Sequence, residues 1–375
     1  MKQEDRARLY ARAEAVKAWA IENRLMGTGA PPPAPDADRL RRVDQAFAGD
    51  QAQVLMKKGL TGVGISEKRA ALVLYTNRPL SISDRSAMPE TLFEDVPVFY
   101  RRASAFTMKD DVEEMHLGVA ASRYHNQRYA CGASISVANR RTAGTLGALV
   151  KDEAGRLLGL TNNHVTGGCN NSRTGMQILA PGVRDVTANE YDPFTIGYHE
   201  AVAPLRQGEP GAVDVTVNTD AATFRIADPD RVSSSQSSHY DTPSATAGVD
   251  PDPIDGTRVE KVGRTTGRTS GFVESRLVGP FGLDYDISTY HNASEMVRFQ
   301  GRVYFEPVYL VRGSDGAFSG QGDSGALVVT AADGAERRAV GLIFAGNEQE
   351  NLTYMLPIDP ILEALKVELV GGHGA

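Results

Sequence analysis

From about residue 115 onward, short runs of β-favouring residues alternate with Gly, Asn, Asp and Ser turns, and helical periodicity nearly vanishes until the chain's end. Such runs are Thr145 to Val150, Leu157 to Thr161, Val213 to Val217, Arg302 to Val311 and Ala326 to Thr330. None is long enough to bury a core by itself, and many short strands at regular spacing imply a sandwich or a barrel. The segment Asp228 to Asp255, rich in Asp, Pro and Ser, reads as an exposed loop. Pro357 to Val370 reads as a terminal helix, with Pro360 in its first turn and Gly371 beyond its end.

The amino-terminal part differs. Leu9, Tyr10, Ala13, Val16, Ala20 and Ile21 recur at helical spacing, and the pattern stops at Gly27 and Gly29. A stiff Pro-rich linker follows at 30–35. A second helical pattern covers Asp36 to Lys58, and strand-like runs follow at Thr61 to Ile65, Ala70 to Tyr75 and Val96 to Arg101. The expected division is a helix over 1–30, a small α/β module over 36–110, and a β region over 115–375. The module carries no catalytic cluster, so an interaction or regulatory role is its default reading.

Bulk properties exclude several classes. A net charge of −7 gives no electrostatic footprint for nucleic acid, and no apolar run reaches membrane-spanning length. Cys131 and Cys169 are too few for a disulfide framework, although a single bond between them is open alongside two structural thiols. The charged amphipathic start lacks a secretory h-region, and both points favour a cytoplasmic address. His116, His125, His199, His239, His291 and His373 are scattered without ligand spacing, so no metal or organic cofactor is expected.

Three short segments carry chemistry. In Gly322-Asp323-Ser324-Gly325 the glycines permit a tight turn that aims the amides of Gly322 and Ser324 at one place. A serine hydroxyl there becomes a nucleophile when a base lies within reach and donors await the oxyanion. Alone, the segment reads equally as a Gly-rich turn. In Gly159-Leu160-Thr161-Asn162-Asn163-His164-Val165 an apolar strand ends at a lone imidazole, which alone has a structural reading too. In Val213-Asp214-Val215 an acid interrupts an apolar run, and a buried carboxylate needs a partner. Asp214 turned to solvent is the bland alternative, and Asp220 is the weaker competitor for the same role.

Taken together, the order His, Asp, Ser is that of the chymotrypsin arrangement. Residues 130–365 resemble the trypsin-like serine peptidases, particularly a bacterial intracellular branch. The resemblance rests on GTLGALVK at 144–151 leading into GLTNNHV, VGRTTGRTSGFV at 262–273, FSGQGDSGAL at 318–327 and VGLIFAG at 340–346. It implies a mainly β fold of two six-stranded antiparallel barrels, chymotrypsin-like, preceded by the helix and the α/β module. It further implies Ser324 as nucleophile, His164 as base, Asp214 as its orienting acid, and an oxyanion hole from the amides of Gly322 and Ser324.

The same resemblance places Phe318 at the base of the primary pocket and Phe344, Ala345 and Gly346 along its wall. An aromatic base without an acid implies small or apolar substrate side chains. No Ile-Val-Gly-Gly-like start precedes His164, so Asp323 is expected to find an internal donor in place of a freed amino terminus. The implied partner is a protein or peptide substrate, with a regulatory protein partner acting through residues 1–110 as a further reading. A catalytically idle peptide-binding scaffold and an esterase-type acyl hydrolase are the rivals. The absence of a Gly-x-Ser-x-Gly elbow disfavours an α/β-hydrolase.

Overall fold

Two curled antiparallel β-units carry the architecture, which is mainly β with few helices. The computed structural model describes residues 3–27, 36–104, 107–109, 121–186, 194–247, 256–292, 294–331 and 336–375. The linker at 30–35, His116 and residues 248–255 lie outside the described residues.

The second unit is a closed six-stranded barrel. Its ring runs Arg258–Gly263, Leu327–Thr330, Ala339–Asn347, Leu352–Pro357, Tyr309–Gly313 and Gly267–Leu277, and the last strand pairs back with the first. Val259, Val273, Val311, Val328 and Met355 fill its interior. Closure removes the free edges that an open sheet would expose. The first unit curls without closing, in the order Val367–Leu369, Ala148–Asp152, Leu157–Thr161, Ala222–Ile226, Phe194–Val202, Gln177–Ala180, Ser134–Val137 and Gly144–Thr145. The mainly β, chymotrypsin-like class expected above is observed, with one difference: only the second unit closes as a six-stranded barrel, and the first is an eight-stranded open curl.

Several local expectations change. The helical pattern at 36–58 is two helices, Ala37–Ala46 and Asp50–Lys58, separated at Gly49, whose φ of +68° breaks the helical path. The acidic loop is not wholly exposed. Val232–Gln236 within it is a fully buried strand pairing parallel with Arg128–Cys131. Val213 to Val217 forms no strand, because Gly208 and Gly211 at positive φ turn the chain there. The terminal helix is shorter than its pattern, Ile358–Leu365, and Val367–Leu369 returns as a strand of the first unit.

The amino-terminal residues are built into the second unit. Strand Leu60–Ser66 pairs with Gly267–Leu277 through Gly64↔Leu277 and Ile65↔Arg276, so the module's sheet continues the barrel's. Helix Gln3–Glu22 covers that sheet through Leu9, Val16 and Trp19, and Trp19 stacks on Phe47 at 4.9 Å. Lys17 Nζ donates to the carbonyls of Val278 (2.7 Å) and Pro280 (3.0 Å), at the root of a long hairpin, 281–305. No helix of the described residues is long and apolar enough to cross a membrane.

Candidate active site

His164 and Ser324 line one cleft of about 470 Å³, His164 from the first unit and Ser324 from the second. His164 lies on a short π-helical turn, Asn163–Gly167, directly after strand Leu157–Thr161. That strand pairs antiparallel with Ala222–Ile226 in the register Thr161↔Ala222. The register carries the residues just before Ala222 alongside those just after Thr161, which sets Asp220 against His164.

The contact is close and dry. Asp220 Oδ2 lies 2.6 Å from His164 Nδ1, and Asp220 Oδ1 accepts from the His164 backbone amide at 3.0 Å. The Asp220 side chain is wholly buried, and that of His164 is 9% exposed. With Nδ1 committed to a carboxylate, the proton sits there and Nε2 is left as the acceptor, the tautomer a general base requires. Arg140 Nη1 donates to the His164 carbonyl at 2.7 Å and fixes the turn from behind.

Asp214 is therefore not the orienting acid that the sequence favoured. Its carboxylate is exposed and accepts from Thr216 Oγ1 (2.6 Å) and Thr216 N (3.0 Å), a local turn closed on itself. The competitor Asp220 holds the position. A usable signal was present: Asp220 stands immediately before the apolar Ala221-Ala222, as His164 stands three residues after the strand Leu157–Thr161.

The nucleophile loop is held from below. Asp323 is fully buried and accepts from Lys261 Nζ (2.9 Å), Thr265 N (2.7 Å), Thr266 Oγ1 (2.6 Å) and Gly320 N (3.0 Å). Burial alone pushes this carboxyl up, but Lys261 and the three further donors outweigh it and bring it below the ordinary carboxylate range. Lys261 is the internal donor expected in place of a freed amino terminus. Its strand, Arg258–Gly263, also carries Arg258 and Glu260, so no lone charge marked Lys261 in the sequence.

The backbone above Asp323 is equally constrained. Gly322 and Gly325 adopt φ of +95° and +93°, where any other residue would be strained. The carbonyl of Gln321 accepts from Thr265 Oγ1, and that of Asp323 accepts from Ala326 N at 3.0 Å. In planar trans peptides this fixes the amides of Gly322 and Ser324 on the opposite edges. Neither amide donates to a backbone acceptor among the described residues. Thr145, from the first unit, clamps the loop's far side by donating from Oγ1 to Gly322 O and from N to Ser324 O, both at 2.9 Å.

The pocket differs from its expected form. Ala345 and Gly346 line the cleft, but Phe318 and Phe344 do not. Phe318 is wholly buried in the barrel interior with Val259 and Tyr309. Phe344 lies on the opposite side of its strand from the cleft-lining Ile343 and Ala345, and packs on Phe305 at 5.0 Å between ring centroids. The next residue, Ser319, lines the cleft instead, and its Oγ pairs with Thr353 Oγ1 at 2.6 Å. Glu348 and Lys109 bring opposite charges to the walls.

Two contributors had no signal in the motifs: Tyr285, whose hydroxyl donates to Asp220 Oδ2 at 2.9 Å, and the strand Thr107–Lys109, which lines the cleft. Burial first, and the Asp220 carboxylate second, hold the Tyr285 hydroxyl well above the ordinary tyrosine range, so it remains a donor. Cys131 and Cys169 are both buried. Among the described residues no three His, Cys, Asp or Glu side chains converge as a metal site.

Fold and site define a chymotrypsin-like β scaffold that presents a Ser and a His at one cleft, with a buried Asp behind the His. No family model matches the chain, and no curated protein matches its sequence. Similar solved structures include Thermobifida fusca protease A, at 17% identity and TM-score 0.39, covering 65% of this chain and 100% of that one. The Nocardiopsis protease NAPase is 17% identical with TM-score 0.37, covering 64% of this chain and 97% of its own. Cellulomonas bogoriensis chymotrypsin is 18% identical with TM-score 0.35, covering 64% and 97%. At such identities and scores, the chemistry has to be argued from the site's own geometry.

Proposed function

We propose that this protein is a serine endopeptidase in which Ser324 is the nucleophile, His164 the general base and Asp220 the acid that orients it. The observation carrying this reading is the buried Asp220–His164 pair at 2.6 Å, facing the same cleft as Ser324. His164 Nε2 takes the Ser324 proton as Oγ attacks a peptide carbonyl, and Asp220 stabilises the imidazolium that forms. The amides of Gly322 and Ser324 receive the oxyanion. His164 then returns the proton to the leaving amine, and water attacks the acyl-enzyme by the same route in reverse. The cleft edge at Ala345 and Gly346 supplies backbone groups for an extended substrate, since the amide and carbonyl of Ile343 are taken by Ala326 O and Gly325 N.

Incubation with an unstructured protein and mass analysis of the products tests the reading. Wild type is expected to yield internal cleavages, and Ser324→Ala none. Hydrolysis of an activated ester without any peptide cleavage would favour the esterase reading instead.

A regulatory role for residues 1–110 is proposed on one observation. Thr107, Met108 and Lys109, from the end of that region, lie in the cleft as a strand paired with Asp284 to Asp286. A substrate strand has to share that wall. In the same assay Met108→Asp, which unseats the strand, is expected to cleave several-fold faster than wild type. An unchanged rate removes the restraint from the account.

A further inference from the structure

The hairpin 281–305 belongs to the second unit by sequence, yet it reaches the acid of the first. Along Phe281–Asn292 the side chains alternate, with Leu283, Tyr285 and Ile287 buried and Asp284 and Asp286 facing outward. In that inward row Tyr285 sits between the apolar Leu283 and Ile287, with the buried Thr289 as its other polar member. A hydroxyl placed among apolar side chains is unfavourable unless it is bonded, and its partner is Asp220 Oδ2, the same oxygen that meets His164 Nδ1. Phe299 packs edge-on to the Tyr285 ring at 6.1 Å and Phe305 lies at 6.2 Å, so the ring is held in place. The His164 and Tyr285 ring centroids are 6.3 Å apart.

We propose that Tyr285 is a positioning residue that sets both the orientation and the basicity of Asp220, making the hairpin a working part of the active site. This rests on the peptidase reading above. By donating to Oδ2, the hydroxyl shares the carboxylate's charge and limits how strongly Asp220 holds a proton on His164. Without that donor the carboxylate becomes a stronger acceptor, the imidazolium is favoured, and the base is unavailable up to a higher pH. Asp220 also loses one of the contacts that fix its plane.

The other groups around the pair are Arg140 behind His164, the Cys169 thiol beside Tyr285, and Lys109 and Glu348 on the cleft walls. A change at position 285 leaves each of them in the chain.

The test is the pH dependence of fluorophosphonate labelling, measured on the full chain for wild type, Tyr285→Phe, Asp220→Asn and the double variant. Tyr285→Phe is expected to lower the alkaline plateau rate ~10-fold and to raise the midpoint of the acid limb by ~0.5–1 pH unit. A purely structural role would lower the labelled fraction at every pH without moving the midpoint. Because Tyr285 acts through Asp220, the double variant is expected to label no more slowly than Asp220→Asn alone. Should Tyr285→Phe fail to melt cooperatively, a ring-fluorinated tyrosine at 285 keeps the packing and strengthens the donor. The midpoint is then expected to move down. An unmoved midpoint in the folded variants, or additive losses in the double variant, overturns the role of Tyr285. A wild type that never labels would instead sink the peptidase reading itself.

Discussion

Asp220→Asn is expected to lower the fluorophosphonate labelling rate by about ten-thousandfold, the scale seen when a triad acid is neutralised with its geometry kept. Asp214→Asn is expected to stay within about twofold of wild type, as for a surface change with no core contact. The contrast follows from position. Asp220 is buried and bonded to the imidazole, to the His164 amide and to Tyr285, whereas Asp214 closes an exposed turn on Thr216. An amide at position 220 can present its NH₂ to Nδ1 and stabilise the wrong tautomer, leaving Nε2 protonated and unable to accept from Ser324. Equal losses in the two variants would detach Asp220 from the chemistry.

Lys261→Met carries the largest expected effect on stability, a loss of about 3–5 kcal/mol, because it strands Asp323 as an uncompensated buried charge. Total stabilities of single domains are about 5–15 kcal/mol, so urea unfolding should shift markedly, and the nucleophile loop should stop labelling. The pH dependence has a defined sign. In the wild type Asp323 lies below the ordinary carboxylate range, so its contribution is present above that range and fades as the pH falls through its folded value. Without Lys261 nearby, burial keeps the carboxyl protonated to higher pH. The gap between variant and wild type is therefore expected to narrow on acidification from pH 8 toward pH 4. A Lys261→Met protein as stable as wild type and still labelled would show that other donors suffice for Asp323.

Much of the fold was legible because its signals are local. The short-strand rhythm after residue 115 and the helical spacing of Leu9, Ala13, Val16 and Ala20 each follow from one element's own burial. Ser324 and His164 were legible through their flanking glycines and strand end. What failed depends on register. Asp214 lies within an apolar run and Asp220 just ahead of one, and it is the pairing Thr161↔Ala222 that sets Asp220 against His164. Phe318 was misplaced by counting back from Ser324, a count that cannot tell which neighbouring side chain turns inward. Here Phe318 enters the core and Ser319 the cleft. Tyr285 and Lys261 reach their partners across 65 and 62 positions of sequence, beyond any spacing rule. The fusion of the amino-terminal module to the barrel through Gly64↔Leu277 is long-range in the same sense.

The most direct measurement of the central claim is the intact mass of the full chain after treatment with a fluorophosphonate, comparing wild type with Ser324→Ala and His164→Ala. The expected result is a single adduct on wild type, none on Ser324→Ala, and labelling suppressed by orders of magnitude in His164→Ala. An adduct of equal extent on Ser324→Ala, or labelling indifferent to His164, would contradict a site built on Ser324, His164 and Asp220.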